Sequence, residues 1–438
     1  MSNPLTGPDF LGLLLRSERL DVEAFRADQL RLLERLCRDA ASFVDHYNRS
    51  LRPLFTDGNP HMGSFIAAAW QDVPPVSKAD ILKNPKAFHS RSKRREATEF
   101  RESHTSGSSG EPFYYRKSIL TDQATTTVAN RAFDHFGLER SGDLADIRVM
   151  LAGPDVRQDH DAGKTWNFSP ESGAHHFFEI RRPVAEQWRW LKKVRPQYLL
   201  TYPSNLRRLA RCARADPGHG LQLAACIASA EILPPDVEDL IRSVFDAPVI
   251  NIYGLREFGH VATGCPQTGD LHVSADVTMI EVLNEAGRPV EVGEIGEVVA
   301  TSFYNYAMPF IRYATGDFAE LGDLCPCGRV LPVLKRVLGR RRNRFTLAGG
   351  RIVWPIVELG ELTELFAIDD YQIIQTDAAQ FEFHYVGVAD GQPLDHQAVA
   401  ATLRQRLAPD IHVDFVLQDA ISPSGYAKQE RYISRMNQ

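Results

Sequence analysis

Apolar residues in the first hundred positions recur at helical spacing. Leu33, Leu36, Ala40, Phe43 and Tyr47 stand three or four apart and share one face of a predicted helix. The segment Val73 to Leu82 (VPPVSKADIL) then pairs a proline stop with Ser77, an N-cap candidate that has Asp80 three residues on. From about residue 100 to about 340 the pattern changes to short β-branched or apolar runs separated by helical stretches. These runs are Asp146 to Gly153, Tyr198 to Pro203, Cys226 to Leu233 and Pro248 to Gly254, with the amphipathic Asp236 to Phe245 between the last two. Strand, helix, strand at this spacing predicts parallel crossover units. TMIEVLNEAGRPV and GEVVATSF predict hairpin material with Glu285, Ala286 and Gly287 in the turn. Near the C-terminus DYQIIQ, QFEFHYVGV and IHVDFVL read as strands, and Asp395 to Leu407 as an amphipathic helix.

The expected architecture is α/β. A large multi-sheet N-terminal domain covers 1–339, with a helical lead-in over 1–100, and a small α+β domain covers 340–438. The junction falls in the Arg-dense stretch Gly339 to Asn343.

Composition narrows the function. Hydrophobic residues at 43% and charged residues at 24% exclude a disordered or collagen-like chain of this length, 438 residues. A net charge of −6 argues against nucleic acid as a partner, and the basic run Arg91 to Arg95 lies beside Glu96, Glu99 and Glu102. No apolar run approaches the ~18 residues of a membrane span, and Leu11 to Leu15 is interrupted by Arg16, so neither membrane nor signal peptide is expected. Six cysteines suit a reducing compartment, and Cys37, Cys212 and Cys226 sit in apolar patterns as core. The expectation is a cytoplasmic enzyme, for which a homodimer is left open.

Three motifs carry candidate chemistry. His104-Thr105-Ser106-Gly107-Ser108-Ser109-Gly110-Glu111-Pro112 interleaves hydroxyls with glycines, so backbone N–H groups can wrap phosphate oxygens. It is not a Walker loop. Gly163-Lys164-Thr165 is not one either, because Gln158 stands where the first glycine is required. Asn251 to Glu257 (NIYGLRE) follows a predicted strand; its Tyr253 can stack on a base and its Glu257 can hold a divalent ion. Tyr313-Ala314-Thr315-Gly316-Asp317 places a carboxylate after a glycine turn, suited to a vicinal diol. Each also has an ordinary reading: a surface turn, a strand end with an exposed Glu, an Asp capping a turn. Cys325-Pro-Cys327 alone offers too few ligands for zinc, while Cys265 with His272 seven residues later is a second candidate pair.

Taken in this order, the motifs resemble the adenylate-forming superfamily, most closely its phenylacetate–CoA ligase branch. The resemblance extends to VPPVSKADIL, Tyr202 to Ala210, Ser229-Ala230-Glu231, Cys325 to Arg329, Gly339-Arg340 and Gly425 to Arg431, nearly the whole chain. It implies an ATP- and magnesium-dependent enzyme that converts a carboxylic acid, aromatic in this branch, to an acyl-adenylate and then a CoA thioester. AMP and pyrophosphate leave. An amine or a carrier-protein thiol is the alternative acceptor, and a non-catalytic binding relative is a third reading.

By the resemblance, Thr105 to Gly110 holds the β- and γ-phosphates, Glu257 holds magnesium and Asp317 the ribose hydroxyls. Tyr253, with Gly254 beside it, stacks on adenine, and Ser229, Ala230 and Glu231 run along its edge. Arg340 reaches ribose or phosphate, and Lys428, in SPSGYAKQERYI, is the catalytic lysine of a mobile small domain. The pivot position of that domain is Arg342, where an Asp or Lys is usual; Glu111 replaces a loop Lys and Arg256 a Thr. Some members of the branch carry a structural zinc at a set like Cys265, His272, Cys325 and Cys327. Phe133, Phe136 and Trp166 are candidates for the acid pocket.

Overall fold

A computed structural model describes residues 10–51, 55, 70–105, 113–149, 172–359, 362–366, 368, 370–387, 393–421 and 428–437. The chain packs as two compact units, one of residues 1–140 with 250–337, the other of 141–249 with 338–438.

The first unit opens with helices Phe10–Ser17, Val22–Phe43 and Asp45–Leu51. Asp21 starts the long one by accepting a hydrogen bond from the backbone of Ala24. Its predicted face is realised as far as Phe43: Leu33, Leu36 and Ala40 are buried and Phe43 half-buried. The helix ends at the extended Val44, so Tyr47, also buried, belongs to the next helix rather than to the same one as predicted. Ser77 and Asp80 form a reciprocal capping box at the head of Lys78–Lys83, as the spacing predicts. Strands Phe100–Thr105 and Phe113–Ser118 form an antiparallel hairpin whose last pair is Thr105 with Phe113. The helix Ile119–His135 follows.

The rest of this unit is a sheet in the order 278–283, 295–302, 313–321, 333–340, 271–273, 259–264, 249–255. The predicted hairpin is its strand pair Thr278–Leu283 and Ile295–Ser302. Asn284 builds the turn by accepting from the backbones of Ala286 and Arg288.

The second unit contains a parallel sheet in the order Ala225–Ser229, Tyr198–Thr201, Leu144–Arg148, His175–Glu179. Helices Val184–Val194, Pro203–Ala215 and Pro235–Phe245 pack on it through Trp188, Leu191, Leu206, Leu209, Val237 and Ile241. Three of the four predicted runs are these strands, the first starting two residues early at Leu144, with residues 150–153 outside the described part. The fourth, Val249–Leu255, lies in the first unit's sheet except for its first residue.

Toward the C-terminus, Asp370–Asp377 pairs antiparallel with Gln380–Val386 and parallel with Tyr432–Ser434. His412–Leu417 pairs parallel with Gln380–Val386, and Asp395 caps the helix His396–Arg406. These are the strands and helix predicted there, with Tyr432–Ser434 as an additional strand, and they fall in one unit with residues 141–249. Among the described residues no helix is long and apolar enough to cross a membrane.

Candidate active site

Within the first unit the three motif residues that matter chemically sit on two strands of one sheet and on a turn beside them. Glu257 lies in the turn between Val249–Leu255 and Gly259–Gly264, only 8% exposed. The turn is tight. Gly259 has φ 84°, and a Cβ there would meet the Thr125 methyl at 2.6 Å, so only glycine fits. Across from it, the Tyr313 hydroxyl donates to Glu257 Oε1 at 3.3 Å.

The strand Tyr313–Leu321 carries the second contact. Tyr253 donates its hydroxyl to Asp317 Oδ2 at 2.9 Å. Thr315 Oγ1 accepts from the Asp317 backbone at 3.1 Å and itself donates to the Val298 carbonyl at 2.8 Å, which fixes the turn before the carboxylate. One strand therefore meets both Tyr253 and Glu257, and all three predicted residues occupy one unit.

The hairpin that leads into the Ser/Gly loop is tied to the same turn. Arg256 donates to the His104 carbonyl at 3.4 Å, and Tyr115 donates to the Arg256 carbonyl at 2.9 Å. Burial, with the Glu257 charge adding to it, pushes the Tyr115 phenol up to about 12, so it stays a protonated donor at neutral pH. Thr105 ends its strand; Ser106, Gly107, Ser108, Ser109, Gly110, Glu111 and Pro112 lie outside the described residues.

Arg312, just before Tyr313, is 1% exposed and has φ 47°. It donates to both carboxylate oxygens of Glu281, at 3.1 and 3.0 Å, and to the carbonyls of Trp70, Gln71 and Val73. Burial pushes the Glu281 carboxyl above the usual range, with Arg312 opposing. Neither Tyr313 nor Arg312 was assigned a role from the sequence. Tyr313 stands in a quoted motif, but nothing in it says which group the ring meets, and an Arg is rarely buried.

In the second unit, Ser229 ends its strand and Ala230 adopts φ 71°, a left-handed conformation that costs about 1 kcal/mol or more for a residue with a Cβ. That turn aims Glu231 at three donors: the Ser204 backbone at 3.0 Å, the Ser204 hydroxyl at 3.1 Å and the Gln429 backbone at 2.6 Å. Burial raises the Glu231 carboxyl, while these bonds and the charge of Lys428 pull it down. The fold thus brings Lys428 beside Glu231. Arg340 is exposed at the end of Val333–Arg340.

Of the proposed pocket aromatics, Phe133 is buried in the helix Ile119–His135, Phe136 caps that helix, and Trp166 lies outside the described residues.

The Cys/His set is assembled. One ligand atom from each of Cys265, His272, Cys325 and Cys327 lies within 4.8 Å of all the others. Cys265 and Cys325 sulfurs are 3.7 Å apart, and Cys327 Sγ is 3.3 Å from His272 Nε2. A tetrahedral zinc with Zn–S near 2.3 Å has edges of about 3.8 Å, so three thiols and an imidazole at these separations fit that ion. Burial, with the Arg329 charge adding to it, pulls His272 down to about 4, which keeps the imidazole neutral and able to ligate. The cluster is braced by the N-terminus: Val330 donates its backbone N–H to the Glu18 carbonyl, Arg329 pairs with the Glu18 carboxylate, and Arg19 reaches the Cys327 carbonyl. Cys37 and Cys226 are buried and Cys212 half-buried, as expected of core.

Comparison with known proteins adds to this geometry. Residues 104–305 match the family model of the AMP-binding enzymes. The chain is similar to the phenylacetate-coenzyme A ligase of Thermus thermophilus, 26% identical over 54% of this chain and 58% of that one. It is also similar to the phenylacetate-coenzyme A ligase of Pseudomonas putida, 29% identical over 46% of each. The matches span about half the length of these two relatives. A crystal structure of 2-hydroxyisobutyryl-CoA ligase in the postadenylation state, with R3-HIB-AMP, superposes with TM-score 0.74 at 20% identity, covering 96% of this chain and 92% of the other. That likeness shows a shared fold.

Proposed function

We propose that this chain, whose residues 104–305 match the AMP-binding enzymes, is an adenylate-forming enzyme, and within that class an AMP-forming acid–CoA ligase. A carboxylate oxygen attacks the α-phosphorus of ATP, pyrophosphate leaves, and the thiol of CoA then displaces AMP from the acyl-adenylate. A carboxylate is a poor electrophile; joined to AMP it has a good leaving group. The protein's task is in-line positioning and neutralisation of charge on the phosphate oxygens.

The observation that carries this reading is the single strand Tyr313–Leu321 that contacts both Tyr253 and Glu257. In the proposal Asp317 clasps the ribose, Tyr253 with Gly254 faces the adenine, and Thr105 to Gly110 wraps the phosphates. Ser229, Ala230 and Glu231 line the base, and Arg340 reaches ribose or phosphate. Glu257, steadied by Tyr313, holds magnesium, which when bound supplies positive charge to the phosphates. Lys428, on a small mobile C-terminal domain over 340–438, stabilises charge between carboxylate and α-phosphate. Cys265, His272, Cys325 and Cys327 hold a structural zinc; four protein ligands leave no position for substrate.

The names of the relatives favour an aromatic or arylacetic acid. The second reading, an amine or carrier-protein thiol as acceptor, is favoured by Arg342 at the pivot and by the structural likeness to an amide bond synthetase from Marinactinospora thermotolerans. A screen of carboxylic acids for pyrophosphate release, followed by CoA addition, tests the proposal. The expected result is an aromatic acid that drives AMP formation and consumes CoA. Lys428→Ala should remove adenylation while ATP still binds. Pyrophosphate release with no CoA consumed selects the second reading, and no release with any acid refutes both.

A further inference from the structure

The linker between the strand Val333–Arg340 and the strand Phe345–Thr346 is a single 3-10 turn, Arg341–Asn343. Its side chains reach the segment that carries Lys428. Arg342 donates through Nε and Nη2 to Glu430 Oε1, at 3.0 and 2.8 Å. Asn343 donates through Nδ2 to the Tyr432 carbonyl at 2.8 Å, and its Oδ1 accepts from the Arg340 backbone at 2.7 Å. Gly339 makes room for this: it has φ 96°, and a Cβ there would meet Asn343 Oδ1 at 2.7 Å. The linker is thereby bonded to the residues two and four places beyond Lys428. On its other side Gln429 donates to Glu231 through its backbone and to Asp370 Oδ2 through its side chain at 2.6 Å.

We propose that Arg342 is a positioning residue for Lys428, acting through Glu430, so that the linker turn and the lysine segment move as one piece. This deepens the ligase reading and rests on it. The pair is half-buried, with Arg342 30% and Glu430 18% exposed, and two N–H donors converge on one carboxylate oxygen. Such charge-assisted bonds are directional and stronger than neutral ones, so breaking the pair lets the segment wander by more than a reacting lysine tolerates. The replacement of an acid by Arg at this place is then matched by Glu430 across from it.

The test compares Arg342→Ala, Glu430→Gln and the charge exchange Arg342→Glu with Glu430→Arg. Acid-dependent pyrophosphate exchange reports the step that needs Lys428; thioester formation from supplied acyl-adenylate reports the step that does not. Both single variants should slow the first about tenfold at unchanged KM for ATP, leave the second within about twofold, and regain most of the loss in the exchanged pair. Amide hydrogen exchange on the substrate-free protein should speed up over residues 428–434 in both singles and return toward the parent in the exchanged pair. Unchanged exchange at those amides overturns the inference whatever the reaction proves to be. So does an equal loss in both half-reactions, or an exchanged pair no better than the singles. Parent protein that forms no adenylate with any acid, yet shows the amide effect, removes the ligase reading and leaves the coupling of linker and segment standing.

Discussion

Replacing Arg312 with Met tests whether the strand that organises the nucleotide site depends on one buried cation. The substitution removes five hydrogen bonds and strands Glu281 with its partner gone. Breaking a buried pair from one side costs about 3–5 kcal/mol, because the remaining charge keeps its desolvation penalty. At a urea slope of about 3 kcal/mol/M, that moves the unfolding midpoint of the first unit by about 1–1.7 M. Trp70 reports it. Its ring lies 5.8 Å from the Arg312 guanidinium, and the other described tryptophans, Trp188, Trp190 and Trp354, belong to the second unit. Fluorotryptophan labelling with fluorine NMR therefore follows the right unit.

Acidity gives the argument a second handle. Glu281 is raised by burial even with Arg312 present, so folded protein holds that proton more readily than unfolded. Stability from this group falls as pH rises from the unfolded value through the raised one, and losing Arg312 raises it further. The deficit of the variant should be smallest below the unfolded carboxyl value and grow as pH rises through the raised ones. Changing Glu281 to Met as well should restore most of it. A midpoint within about 0.2 M of the parent, or a double variant no better than the single, refutes the reasoning.

Two further outcomes follow from the first unit. Protein purified without chelator should contain about one zinc per chain, lost on Cys327→Ser, and stripping the metal should lower Tm by about 5 °C or more; absence of zinc removes the assignment. Burial would raise the Glu18 carboxyl, but the hydrogen bond and charge of His135, with Arg131 and Arg329, hold it below the usual range. That stability is present above the unfolded value and is lost as pH falls through the lowered one; burial of His135, which pulls its imidazole down, acts in the same direction. Glu18→Gln should flatten the acid limb of stability against pH, and an unchanged limb in thermal scans from pH 7 to 4 counts against the cluster.

The features legible in the sequence were those set by local patterns. Ser77 with Asp80 announces a helix start, and the buried face from Leu33 to Phe43 follows from spacing, though not the break at Val44 that puts Tyr47 on another helix. The strand His175–Glu179 was missed because two histidines and a glutamate dilute its apolar signal, and Tyr432–Ser434 because three residues carry no period. Tyr253, Glu257 and Asp317 could be named from motif order, yet the hydroxyl of Tyr253 on Asp317 joins residues 64 apart. Cys265 and Cys325, 60 apart, likewise become neighbours only through the sheet. Arg312 was invisible because its burial is settled by partners on three other segments.

The bond between Glu18 and Arg329 spans 311 positions. At a synthesis rate of about 5–20 residues per second, the first helix leaves the ribosome some 15–60 s before its partner exists. Through that interval Glu18, almost wholly enclosed in the finished protein, has His135 and Arg131 to meet but not Arg329. Glu18 is thus satisfied in two stages, first by the helix Ile119–His135 and only much later in synthesis by Arg329.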